Sequence, residues 1–194
     1  WSSDVCSSDL VVSGVATHAV APALMTKPPF DPLKDFSHVA LFGGPPLVFA
    51  VSLDVPARSM KELIALAKAK PDAISYGSPG VGTHGHLFGE LLKQINGIEM
   101  THVPYKGAAG AVADLAAGHL PAISSTLTTA GAQIRANKVR ALAISSNNRL
   151  PDYPDVPTFR QAGFPDLVAV TWFSLSGPDR KSTRLNSSHI TISY

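Results

Sequence analysis

Ala73-Ile74-Ser75-Tyr76 runs directly into Gly77-Ser78-Pro79-Gly80-Val81-Gly82-Thr83, after which Leu87, Phe88, Leu91, Leu92 and Ile95 recur at helical spacing. The stretch reads as strand, glycine loop, helix. Glycines let a backbone come close to a ligand, and the first turn of a helix carries N–H groups with no partner inside the helix. An anion is the natural guest of such a loop. A tight strand-to-helix turn would use the same residues, and spacing alone leaves both readings open. A helix dipole contributes about 0.3–1 kcal/mol, whereas micromolar binding needs about 8 kcal/mol. One loop is therefore too little, and a second surface has to close over the ligand.

On the N-terminal side, Leu47-Val48-Phe49-Ala50-Val51-Ser52-Leu53 follows Gly43-Gly44-Pro45-Pro46 and predicts a buried strand. Ser59-Met60-Lys61-Glu62 has the spacing in which Ser59 and Glu62 satisfy each other's backbone N–H groups, so a helix is expected there, ending at Lys70 before Pro71. On the C-terminal side the pattern predicts a strand over Ile98 to Val103, a turn at Pro104-Tyr105-Lys106-Gly107 and an alanine-rich helix from Ala108 to Ala117 closed by Gly118. A strand over Leu120 to Ser124, a helix over residues 129–136, a strand over Val139 to Ser145, a proline-stiffened loop to Pro157 and a strand over Val168 to Leu175 complete the alternation. Strands separated by helices predict the α/β class, with a parallel sheet covered on both faces.

Composition narrows the function. The chain has 194 residues, 45% of them hydrophobic, and a net charge of only +2, so nothing in it marks a nucleic-acid surface. No run of about 18 apolar residues is present to cross a membrane as a helix. His86 and Glu90 could share one helical face, but His84, His102 and His119 supply no third ligand at a credible spacing, so no metal and no cofactor is expected. Ser78 does not sit in a Gly-x-Ser-x-Gly elbow, and the glycine loop lacks a Gly-Lys-Ser/Thr ending; neither a hydrolase nor a nucleotide site is expected, and the chain reads as a non-enzyme. Asp114 reads as part of a solvated helix face.

The two ends read differently from the rest. WSSDVCSSDL (residues 1–10) and DRKSTRLNSSHITISY (residues 179–194) resemble translated sequencing-adapter DNA, which leaves residues 11–178 as the expected native stretch. Cys6 lies in the first of these, so no cysteine chemistry is expected, and the charge of +2 is unchanged when both are set aside.

Several motifs occur together and in order: Thr17-His18-Ala19 with Pro22-Ala23-Leu24, Phe30-Asp31-Pro32-Leu33-Lys34-Asp35-Phe36, Tyr76 to Thr83 with His86-Leu87, Val103-Pro104-Tyr105-Lys106-Gly107, Arg140-Ala141-Leu142-Ala143 and Asp155-Val156-Pro157-Thr158. In this set the chain resembles the Bug/TctC family of periplasmic solute-binding proteins across residues 11–178. The resemblance implies a type II periplasmic-binding fold: two α/β lobes with parallel-rich sheets and a small carboxylate held between them. Residues 11–50 and 171–178 would form an incomplete first lobe, and residues 51–170 the second. Family members hold their ligand largely through the backbone of two opposed loops. One of these corresponds to Ser78, Pro79, Gly80, Val81, Gly82 and Thr83, with Thr17, His18, Tyr105, Lys106 and Gly107 as further ligand-side candidates and Trp172 and Phe173 near the hinge. The opposing loop, the signal peptide and the C-terminal helices of the family are not in the printed chain, so weak or no binding by this fragment is expected.

The function implied is that of a monomeric periplasmic receptor that delivers a small carboxylate to the membrane permease subunits of a tripartite tricarboxylate-type transporter. Where many relatives carry an aspartate after the strand at Ile123, this chain has Ser124-Ser125-Thr126, which argues against an amino-acid ligand. The alternative is the effector-sensing domain of a transcription regulator, which uses the same fold.

Overall fold

The computed structural model of the chain describes residues 10–71, 74–167, 169 and 171–178. Apart from Leu10, both adapter-like ends lie outside the described residues, as do Val168 and Val170 of the last expected strand. The order of elements is β1 (Val11–Gly14), a π-helical turn (Ala16–Val20), α1 (Ala21–Leu24), β2 (Phe36–Gly43), β3 (Leu47–Ser52), α2 (Met60–Ala69) and β4 (Ser75–Ser78). There follow α3 (His84–Asn96), β5 (Thr101–Pro104), α4 (Ala108–Ala116), β6 (Ala122–Thr126), α5 (Leu127–Arg135), β7 (Val139–Ile144) and β8 (Phe173–Pro178). Contacts divide the chain into two units. Of the described residues, one holds those up to Phe42 and from Phe173; the other is Gly43–Trp172.

The larger unit is built on a five-stranded sheet in the order β5-β4-β6-β3-β7. All six residues of β3 are buried. Its side chains alternate as a strand requires: Leu47, Phe49 and Val51 pack with Met60, Leu63, Phe88 and Leu92, while Val48 and Ala50 pack with Ala111, Leu115 and Leu127. A strand covered on both faces is what a continuous apolar run encodes. It lies wholly inside the larger unit.

One expectation is corrected here. β4 is parallel to β5 and to β6, but β3 is antiparallel to both of its neighbours, β6 and β7, so the sheet is mixed. An apolar run reports burial on two faces, which is the same for either strand direction. Direction is set by the connections: α5 carries the chain from β6 to β7 across β3, so those two strands share a direction that β3, entering earlier, opposes.

Helix starts follow the sequence closely. Glu62 N–H donates to Ser59 Oγ (3.2 Å), so Ser59 caps α2, and Lys70 ends it. The reciprocal bond differs by one residue from the expected box, because the Glu62 carboxylate accepts from Arg58 N–H (2.7 Å). The last strand begins at Phe173, later than expected, since Thr171 turns its hydroxyl to the Pro45 carbonyl (2.6 Å) outside any strand.

The smaller unit is a three-stranded sheet in the order β1-β8-β2, with β1 antiparallel to β8. Its buried centre is polar. Ser13 Oγ–H donates to Ser176 Oγ (2.6 Å), Ser176 Oγ lies 2.7 Å from His38 Nδ1, and His18 Nε2 lies 3.1 Å from Ser13 Oγ. His18 packs edge-on against Phe36 with ring centroids 4.7 Å apart.

Candidate functional site

β4 and β5 end side by side, with Ser78 and Pro104 as register partners, and β6 runs parallel to β4 to end at Thr126. From these three strand ends start α3, α4 and α5, with Thr83, Gly107 and Thr126 as their first flanking residues. Three helix N-termini therefore share one edge of the sheet. None of the three takes a side-chain cap, whereas α2, which follows antiparallel β3 at the opposite edge, is capped by Ser59. Open α/β sheets bind ligands at the carboxyl ends of their parallel strands, where helix N-termini favour negative charge.

The glycine loop is built into this edge. Tyr105 N–H donates to the Ser78 carbonyl (3.0 Å) and Gly107 N–H to the Pro79 carbonyl (2.9 Å), which locks Ser78–Thr83 to Tyr105–Gly107. Gly80 and Gly82 adopt φ of 146° and 76°, conformations that a side chain would strain. Thr83 spends its hydroxyl on the Gly80 carbonyl (2.7 Å) and so leaves the first turn of α3 without a side-chain cap. Val81 and Lys106 are exposed on the loops, while Ser78 is fully buried and supports the loop from beneath.

Asp114 lies on an exposed helix face, as expected, with its side chain 44% exposed, but it also has a partner. It accepts the Tyr105 hydroxyl (2.7 Å), because the Tyr105 ring lies against the start of α4 beside Gly110. That hydrogen bond, with burial second, pushes the Tyr105 hydroxyl up to about 12. Under the loop, Tyr76 O–H donates to Glu90 Oε1 (2.7 Å), and Lys93 lies 3.0 Å from Glu90 Oε2. Burial works against ionisation of Glu90, but the bonds from Tyr76 and Lys93 outweigh it and hold the carboxyl below its ordinary value. Burial, reinforced by Glu90, pushes Tyr76 strongly upward.

The histidines are likewise engaged. The His86 and His102 rings stack with centroids 4.1 Å apart, His102 Nε2 lies 2.7 Å from Ser78 Oγ, and Gly82 N–H donates to His86 Nδ1 (3.2 Å). Among the described residues no three histidine, cysteine, aspartate or glutamate side chains converge on one point. His18, His84 and His102 are all held below the ordinary value of 6.5, each first by burial; His38 adds to this for His18 and His86 for His102. A histidine kept neutral by the fold adds stability that is complete above 6.5 and is lost as the pH falls from there towards the lower folded value. The urea midpoint of the chain is therefore expected to fall between about pH 7 and about pH 5.5, where carboxylates remain ionised. His102→Gln should flatten that fall, and a midpoint unchanged across the window would contradict the assignment.

Of the residues singled out in the sequence, Ser78–Thr83 and Tyr105–Gly107 come together in the larger unit. Thr17 and His18 belong to the smaller unit, where Thr17 Oγ1 closes a turn on Gly14 (3.1 Å) and lies 2.9 Å from His18 Nδ1. Trp172 is half-buried at the end of the larger unit beside Thr171. Residue reading missed His86 and His102 as a pair under the loop, because 16 positions separate them and only the β4–β5 register brings them together. It also missed that Ser124 and Ser125, on β6, are fully buried with hydroxyls that have no hydrogen-bond partner among the described residues.

Comparison with known proteins places this geometry. Residues 9–186 match the family model described as "Tripartite tricarboxylate transporter family receptor", a span that runs into the adapter-like tail. Protein BugT of Bordetella pertussis is 34% identical over 184 residues, 93% of this chain and 56% of BugT. A solved R. palustris protein with adipate is 30% identical, with a TM-score of 0.83, over 91% of this chain and 58% of that one. MatC from Rhodopseudomonas palustris, solved with bound malate, is 30% identical with a TM-score of 0.81, over 87% of this chain and 57% of its own. The chain thus spans little more than half the length of these relatives, and the fold is that of periplasmic binding proteins. With an ordered set of motifs, a mixed α/β sheet and a family match over most of its length, the chain belongs to the tripartite tricarboxylate transporter receptor family, a family of receptors and not of enzymes.

Proposed function

We propose that this chain is part of a monomeric periplasmic receptor that captures a small carboxylate and hands it to the membrane subunits of a tripartite permease. The observation that carries the reading is the edge where α3, α4 and α5 all begin without a side-chain cap, beside a glycine loop tied to Tyr105–Gly107. A carboxylate there accepts backbone N–H groups of first turns whose N-cap residues make no side-chain cap, in the field of three helix N-termini. Ser78 lends the loop its shape, Gly80 to Thr83 face the ligand, and Lys106 adds a cation at the rim. Adipate and malate, found with solved relatives, mark dicarboxylates as the first ligands to try.

The ligand carries no amine. β6 ends in Ser124-Ser125-Thr126, neutral hydroxyl residues with no carboxylate to pair with an ammonium group. The two lobes of the receptor would follow the two units.

Thermal shift tests the proposal, on this chain and on a receptor extended to the length of its relatives. Dicarboxylates at a hundredfold excess over Kd should stabilise the extended protein by about 2.7 kcal/mol. Equal concentrations of amino acids or nucleosides should do nothing. Stabilisation by amino acids but not by dicarboxylates would replace this reading.

A further inference from the structure

We infer that His86 and His102 are positioning residues for the glycine loop: a stacked histidine pair that holds Gly80 and Gly82 in place before any ligand arrives. The inference rests on the reading of Ser78–Thr83 as the carboxylate-binding loop. Three elements build the pair. His102 on β5 is the register partner of Tyr76 on β4, whose ring lies 5.1 Å from it at 33°. His86, from the first turn of α3, stacks on His102 at 4.1 Å and 30°. Glu90 and Lys93, one turn further along α3, pair with one another, and Glu90 anchors the Tyr76 hydroxyl.

Each histidine takes one glycine of the loop. Gly82 N–H donates to His86 Nδ1 (3.2 Å), so that nitrogen is unprotonated and the ring proton sits on Nε2. Ser78 links Gly80 to His102: its Oγ accepts from Gly80 N–H (3.2 Å) and donates to the Gly80 carbonyl (3.1 Å). His102 Nε2 lies 2.7 Å from the same Ser78 Oγ, which completes the link from Gly80 to the imidazole. Gly80 and Gly82 are the two loop residues with positive φ, the positions where a glycine backbone has most freedom to lose. A loop left free there would have to be ordered by the ligand, at a cost in affinity; a loop already tied down is preorganised.

The test separates hydrogen bonding from ring bulk and from ligand binding. Asparagine places an acceptor where His86 has Nδ1, and glutamine places an amide, able to donate or accept, where His102 has Nε2, whereas alanine removes both. Amide exchange of Gly80 and Gly82 is followed by NMR in the ligand-free chain, together with the tautomer of each ring from its nitrogen resonances. Losing one such bond should speed Gly82 exchange about fivefold in His86→Ala, with His86→Asn close to the parent, and the same order should hold for Gly80 across His102→Ala and His102→Gln. Affinity for adipate or malate in the extended receptor should follow the exchange rates. Unchanged exchange in the alanine variants, equal effects of asparagine and alanine, or a His86 ring protonated at Nδ1 near neutral pH would each overturn the inference. If the exchange rates order as expected but no variant, nor the parent, binds any carboxylate, the pair orders the loop and it is the receptor reading that falls. Should an alanine variant fail to fold, the asparagine and glutamine variants and the tautomers still decide.

Discussion

Gly85→Ala is expected to destabilise the larger unit by about 3 kcal/mol, at the upper end for an added methyl in a packed core, and to lower its urea midpoint by about 1.5 M. A Cβ at Gly85 would sit 2.1 Å from the Ser124 carbonyl oxygen and 3.0 Å from Pro79 Cδ. Neither obstacle can rotate away. The first is the backbone of β6, paired to β3 on one side and to β4 on the other; the second belongs to the loop tied to Gly107. Helix α3 would have to lift, and Phe88 and Leu92, both buried on its core face, would lose contacts with it. The first turn of α3 would move with the rest, so dicarboxylate affinity at the proposed site should fall as well. Gly97→Ala is the contrast: a Cβ there meets nothing within 4 Å, and only the φ of 58° opposes it, at about 1 kcal/mol. Equal losses from the two substitutions would show that the close approach of α3 to β6 does not limit the fold.

Phe49→Ala should cost about 4 kcal/mol, measured by the same denaturation. Phe49 is fully buried in the strand flanked by β6 and β7, and its ring lies 6.5 Å from that of Tyr76 on the face covered by α2 and α3. Strands paired on both sides cannot slide inward to fill the space, so the cavity stays open and its lining loses dispersion contacts. Phe42, 62% exposed in the smaller unit, serves as the control; its replacement by alanine should change stability by no more than about 0.5 kcal/mol. A small loss at Phe49 would mean that the sheet relaxes around a missing ring.

Much of the larger unit was legible residue by residue. The apolar run at Leu47, the capping serine at Ser59, the glycine loop and the helix after it each rest on interactions within a few positions, and each stands close to where it was expected. The boundaries that moved, such as the start of β5 at Thr101 and of β8 at Phe173, lie where strand pairing and a distant carbonyl set the limit.

What local chemistry could not carry was direction and partnership. The run Leu47-Val48-Phe49-Ala50-Val51 encodes burial on two faces, but an antiparallel and a parallel strand bury the same atoms, so the orientation of β3 emerged only with the crossover from β6 to β7. The glycine loop, in the same way, was evident as a loop made for close approach, whereas its shape depends on His86 and His102, on Tyr105 N–H and on Gly107 N–H. Asp114 is exposed as its helix face implies, but its bond from the Tyr105 hydroxyl depends on the turn between β5 and α4. Short-range pattern is written in the order of residues because helix and strand periods are local. Which residues become neighbours across tens of positions depends on the sheet that brings their strands together.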